Sequence, residues 1–239
     1  MHFNDMTELV ACAKDCRRCA LCEVRTNVVC GQGDPNARVM FIGEGPGQNE
    51  DLQGLPFVGA AGKFLDELIA VMGYKRQDVY IANVLKCRPP QNRDPLPEEL
   101  LACRDYIDEQ VRLIDPSIIV TLGRFSMAMF FDNASISKIH GIPKRVGKTV
   151  YYPMYHPAVA LYNGSMRSVL IGDARKVPLI LKKLDKMQTD GLLYEETSVE
   201  PEELISSENS LHNNEVSSII EKEQSNNINR TSNRQLSLF

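Results

Sequence analysis

A chain of 239 residues, 43% of them hydrophobic, has apolar material for one large domain or for a medium domain with an appendage. No charged segment followed by an apolar stretch opens it, and no run approaches about 18 apolar residues, which excludes an ordinary secretion signal and a membrane span and predicts a soluble, cytoplasmic protein. The net charge of −4 hides an uneven spread: residues 1–188 hold 24 Lys and Arg against 21 Asp and Glu, and residues 189–239 hold 3 against 10, so a mildly basic body permits nucleic-acid binding without requiring it.

In chain order, residues 6–23 read as a short helix running into a turn that holds Cys12, Cys16, Cys19 and Cys22. Residues 38–43 are a buried strand, because the apolar run Val39–Ile42 stops abruptly at a Gly/Pro-rich loop. From Ala60 to Met72 the residues Phe64, Leu65, Leu68, Ile69 and Met72 recur at helical spacing, and Gly73 closes the helix. Val79–Leu85 is a second strand, followed by Lys86–Arg93, a polar loop that Pro89 and Pro90 hold out of any helix. Pro97, Glu98 and Glu99 open a helix that runs to about Ile114. Ser117–Leu122 is a third strand, stopped by Gly123 and followed by a helix through Phe131. Thr149–Tyr155 is a fourth, which Pro153 assigns to an edge, and a last helix covers 168–187. Strands alternating with helices, over links long enough for crossovers, predict a three-layer α/β/α fold around a central four-stranded, mostly parallel sheet.

The loop after the first strand concentrates the chemistry, since ligands of open α/β folds sit outside the carboxyl ends of strands. Gly43, Gly45 and Gly47 allow main-chain N–H groups to face a ligand closely. Glu44 and Glu50 frame the loop, and Phe57 is placed between Pro56 and Gly59. A small, flat, polar ligand suits this set better than a phosphate, for which Lys and Ser or Thr would be wanted; neither the P-loop nor the dinucleotide pattern is present.

Seven cysteines, an odd number, point to metal ligands or free thiols before disulfides. Cys16 and Cys19 form a C-x-x-C, and Cys87 and Cys103 frame the proline-rich loop with 15 residues between them. Four thiolates from these positions suit zinc or an iron–sulfur cluster equally well. Cys22 rivals Cys16, because Cys19–Cys22 is also a C-x-x-C.

Together these stretches resemble the family-4, iron–sulfur uracil-DNA glycosylases from about Cys16 to about Lys183. The resemblance is carried by Gly43–Gly47 with Glu50 and Asp51, Gly54–Gly59, Asn83, Lys86–Arg93 and His156–Ala158. It implies hydrolysis of the N-glycosidic bond of deoxyuridine in DNA, opening base-excision repair, and a 4Fe–4S cluster on Cys16, Cys19, Cys87 and Cys103. The base must be flipped from the stack. The resemblance then gives Phe57 the uracil face, Asn83 the N3–H and O4 edge, and His156 the O2 atom; Gly45 and Pro46 complete the pocket with Glu44. For the group that polarises the water it leaves Glu44 and Glu50, Glu44 being favoured, while Glu50 is also a candidate for the wall that excludes the thymine methyl. DNA contact is expected from Arg88, Asn92 and Arg93, with Leu161 as a wedge into the duplex or as a core residue. Other readings are a non-catalytic iron–sulfur or zinc DNA-binding clamp adaptor and a related glycosylase with a broader deaminated-base range.

After Lys186 the composition turns to Ser, Asn, Glu and Thr, and residues 189–234 read as a disordered acidic tether to the body at 1–188. Gln235, Leu236, Ser237, Leu238 and Phe239 resemble the short peptide by which bacterial repair proteins dock on the β sliding clamp. A monomer associated with the nucleoid is expected.

Overall fold

The four apolar runs form the predicted parallel strands, and two short segments without a strand signal join them at the edges. The computed structural model describes residues 1–190; the predicted tether from 191 onward and the Gln235–Phe239 peptide lie outside the described residues. The sheet comprises β1 (Gln32–Gly33), β2 (Val39–Gly43), β3 (Tyr80–Asn83), β4 (Ile118–Leu122), β5 (Lys144–Val146) and β6 (Thr149–Met154), in spatial order β1-β3-β2-β4-β6-β5. The central β3, β2, β4 and β6 are parallel, whereas β1 and β5 add antiparallel edges. The expected four strands are therefore the middle of a six-stranded mixed sheet. Residues 32–33 and 144–146 are too short to show a period, and they pair because an open edge presents unsatisfied main-chain groups.

The helices are α1 (Met6–Lys14), α2 (Gln48–Gln53), α3 (Ala60–Val71), α4 (Pro97–Ile114), α5 (Arg124–Met127), α6 (Ile136–Ile139), α7 (Val159–Tyr162) and α8 (Ser165–Thr189). Every residue of β2 is buried, as expected of a strand covered on both faces. Its side chains alternate between two cores: Val39 and Phe41 join Leu65 and Leu68 of α3 with Val177 and Leu181 of α8, while Met40 and Ile42 join Ile107 and Ile114 of α4. A third cluster, with Phe3, Leu9, Ala13 and Tyr106, seats α1 on α4. No helix among the described residues is long and apolar enough to cross a membrane.

Three local expectations are corrected. β6 is internal in the strand order, not an edge. Pro153 is tolerated because β5 pairs only with residues 149–151; beyond that ladder the Pro153 carbonyl accepts the Gly141 N–H at 2.8 Å, so its missing N–H falls on the side where the ladder has ended. The helix predicted through Phe131 stops at Met127, and Asn133 takes a left-handed φ of 54° shortly after. Conversely, the loop after β2 contains α2, which starts at Gly47, carries Glu50 and Asp51 in its first turn and ends at a left-handed Gly54.

Candidate active site

The strand order reverses at β2: β3 lies on one side of it and β4 on the other. Residues after β2, β3 and β6 line one cavity of about 490 Å³, the crevice such a reversal creates. Gly43, the last residue of β2, lies in register with Asn83, the last of β3. A Cβ at Gly43 would sit 2.3 Å from Asn83 Oδ1 and 2.6 Å from Phe57 Cζ, so only glycine lets these side chains approach one another. Asn83 is 2% exposed, and its Oδ1 has no hydrogen-bond partner among the described residues. A buried, unpaired amide oxygen costs about 1–3 kcal/mol, a cost that a ligand N–H would remove.

Phe57 is buried with φ 50°, a left-handed conformation costing a residue with a Cβ about 1–3 kcal/mol. Glu50 Oε1 holds the turn by accepting the main-chain N–H of Val58 at 2.9 Å and of Gly59 at 2.8 Å. Gly62 in the first turn of α3 admits the Phe57 carbonyl, which a Cβ would meet at 1.9 Å. Arg76 donates to the Pro56 carbonyl from the other side. One oxygen of Glu50 is thus engaged in shaping the aromatic turn, and Oε2 lies beside Gly47, where a Cβ would be 2.8 Å away. Asp51 has a structural part: it accepts the main-chain N–H groups of Thr26 and Asn27.

His156 stacks on Phe57 with ring centroids 5.6 Å apart at 28°. Its Nδ1 accepts the Ala158 N–H at 3.2 Å, which assigns the proton of the neutral ring to Nε2. Burial lowers the imidazole pKa to about 4, against an upward pull from Glu50. Gly123, at the end of β4, has φ 90° and approaches so closely that a Cβ would lie 3.1 Å from that of His156.

Glu44, Gly45 and Pro46 line the same cavity. Burial raises the Glu44 pKa, Asp94 adds to the rise and Arg124 opposes it. The loop between the later cysteines forms one lip, to which Pro89, Asn92 and Arg93 contribute. Its charges are largely engaged: Arg88 Nε donates to Asn92 Oδ1 at 2.8 Å, Arg93 grips Glu99 through bonds of 2.9 and 2.5 Å, and Arg124 pairs with Asp94. The other lip is α7, where Leu161 is 49% exposed, so it is no core residue. Tyr162 beside it is 90% exposed; sequence reasoning passed it over, and only its closeness in sequence to His156 marked it.

Away from the cavity, Cys16, Cys19, Cys22, Cys87 and Cys103 line a single small void, and none is in a disulfide. Cys16 and its rival Cys22 are both present there. Arg25 ties the void's walls together, donating to Cys87 Sγ at 3.3 Å and to the Cys16 carbonyl at 2.8 Å. Burial pushes the Cys87 thiol up to about 11, and it raises Cys19 and Cys103 as well. Among the described residues no three His, Cys, Asp or Glu side chains form a group that could hold a lone metal ion. The void joins the N-terminal segment to both ends of the cavity's proline-rich lip.

Comparison with known proteins identifies the family. The profile of the Uracil DNA glycosylase superfamily matches residues 30–176. The Type-4 uracil-DNA glycosylase of Sulfurisphaera tokodaii is 46% identical over 172 residues, covering 68% of this chain and 78% of that protein. Those of Saccharolobus solfataricus and Thermotoga maritima are 45% and 44% identical, covering 76% and 71% of this chain and 88% and 91% of theirs.

Proposed function

The chain belongs to the uracil DNA glycosylase superfamily and is a type-4 enzyme that excises uracil from DNA, and from that premise we propose a role for each residue of the cavity. The everted uracil lies on Phe57. Asn83 Oδ1 accepts the N3–H and its Nδ2 donates to O4; cytosine presents the opposite pattern at both atoms and leaves a buried amide unpaired. The observation that carries this reading is the orphaned, buried Oδ1 of Asn83 beside the Phe57 ring. His156 donates Nε2–H to O2, where negative charge grows as the glycosidic bond breaks; a preoriented neutral donor in a dry site stabilises the leaving uracilate. Glu44 polarises the attacking water and offsets the oxocarbenium-like charge on the sugar. Glu50 is placed better to hold Phe57 than to attack. Leu161 and Tyr162 meet the duplex around the vacated position, and Arg88 with Asn92 meets the backbone.

The cysteine void suits a 4Fe–4S cluster: four thiols, buried at Cys87 and Cys103 and half-buried at Cys16 and Cys19, are the donor chemistry such a group takes. When bound, the cluster supplies a rigid cross-link, and base excision needs no electron from it. Cys87 and Cys103 would then pin both ends of the lip that carries Arg88 and Asn92. Residues 235–239, by their pattern of a glutamine followed by spaced apolar residues, are a candidate ligand for the β sliding clamp.

Single-turnover excision from oligonucleotides bearing U, C, T or hypoxanthine tests the reading. Release of uracil and retention of C and T is expected, with Asn83→Ala losing about 100-fold on U. A full rate in Asn83→Ala would remove the amide from recognition.

A further inference from the structure

Lys86 lies in what the sequence presents as a polar loop, yet it is 2% exposed. Its ammonium donates to the main-chain carbonyl of Asn83 at 2.7 Å and to Gln110 Oε1 at 2.6 Å. Gln110 is itself oriented, because its Nε2 donates to the Cys30 carbonyl at 2.8 Å and to Tyr80 Oη at 3.2 Å. Both oxygens that receive the ammonium are therefore neutral. A charge buried on neutral partners is an expensive way to fill space, since aliphatic side chains of similar volume would do so at lower cost. The main chain of the same residue faces the other centre: Lys86 immediately precedes Cys87, its N–H is near enough to the Cys103 sulfur to oppose the rise that burial gives that thiol, and its carbonyl accepts from Val29 at 2.8 Å. Between Asn83 and Lys86 the chain is tied to the β2 end, Val84 N–H to the Gly43 carbonyl and Leu85 N–H to that of Glu44, each at 3.0 Å.

We infer that Lys86 is a positioning residue that sets the uracil-reading amide of Asn83 against the cysteine centre, one residue gripping both. The inference rests on the reading of Asn83 given above. The side chain of Lys86 acts on Asn83 through its carbonyl, so its loss lets the amide drift while leaving the DNA-facing lips intact.

The test uses the purified, iron-loaded full chain as Lys86→Met, as Lys86→Met with Gln110→Leu, and as Asn83→Ala. The double variant removes the amine together with its side-chain acceptor, so that Gln110 Oε1 is not orphaned; the Asn83 and Cys30 carbonyls and the Tyr80 hydroxyl each lose one partner, and a thermal melt of each variant checks that folding is retained. Two affinities are read: for free uracil, from inhibition of excision, and for DNA carrying an abasic site, from direct titration. Both Lys86 variants are expected to weaken free uracil by about tenfold or more while abasic-site DNA binds as in the parent. Unchanged uracil inhibition in the double variant overturns the inference, and so does an equal loss of both affinities, which would mark a general structural role. Unchanged uracil inhibition in Asn83→Ala overturns the underlying reading of Asn83 instead, so the two failures are distinguishable.

Discussion

The Ala158 N–H donates to His156 Nδ1, two residues back along the chain, and this bond dictates which nitrogen of the ring can donate into the cavity. With burial holding the pKa at about 4, His156 is neutral throughout the ordinary pH range. His156 should therefore contribute no break to single-turnover excision between about pH 5 and 8, where an unperturbed histidine would titrate; an acid limb above the ordinary carboxylate range would belong to Glu44, whose pKa burial raises. Stability follows the same sign. The unfolded chain binds a proton at His156 near pH 6.5 and the folded chain does not until about 4, so the contribution is complete above 6.5 and is lost as pH falls through that window. A rate profile with an inflection near 6.5 that His156→Gln abolishes would contradict the neutral-donor assignment.

Gly43→Ala is the smallest change that should disable the cavity. The added methyl meets both the Asn83 amide and the Phe57 ring. Because these are side chains and can yield, the fold should survive with a loss of about 1–3 kcal/mol, while excision drops by about 100-fold or more. Thermal melts beside single-turnover rates check this; parent-like activity would show that the approach of Asn83 to Phe57 is dispensable.

Glu50→Ala removes the acceptor of two main-chain N–H groups in the turn that strains Phe57. The expected cost is about 1–3 kcal/mol of stability, with weakened uracil binding. Glu50→Gln retains an acceptor and should recover much of both. Were Glu50 the group that polarises water, the Gln variant would instead melt like the parent and have almost no turnover.

Removing iron with a chelator, or introducing Cys87→Ala, should abolish visible absorption, lower Tm by roughly 10 °C or more and open residues 88–95 to proteolysis. DNA affinity should fall with it. An iron-free protein that bound DNA like the parent would separate the cysteine centre from the lip.

Deleting residues 235–239 should abolish co-elution with the β sliding clamp and leave the excision rate on short oligonucleotides unchanged. Retained co-elution would locate the contact elsewhere.

Much of this site can be read in the chain because its parts are compact motifs at strand ends: Gly43 with Glu44, Asn83 closing its strand, and His156 following its own. The cysteine convergence is legible for the same reason, as two pairs with recognisable spacing. Other features depend on geometry that no local pattern carries. Glu50 looks like a free carboxylate in the sequence, whereas its Oε1 accepts the N–H groups of Val58 and Gly59. Lys86 looks like a surface charge between Leu85 and Cys87, and its burial follows only from the packing of α4. Tyr162 resembles any half-buried helical aromatic, although its exposure is nearly complete. The edge strands β1 and β5 escape notice because partners, not their own residues, make them strands.

Arg88 on the lip is bonded to the neutral Asn92, but Arg93 of the same lip, Arg124 and Arg167 are already matched with Glu99, Asp94 and Glu67 respectively. A phosphate that recruits one of them must break an internal pair, so fewer counterions are displaced from the nucleic acid than the tally of basic residues implies. Each arginine that stays home removes about 0.9 from the slope of log affinity against log salt on duplex DNA. Uracil search by this enzyme should accordingly tolerate ionic strength better than its count of basic residues suggests, with grip expected from the apolar lip and the everted base as well as from the backbone.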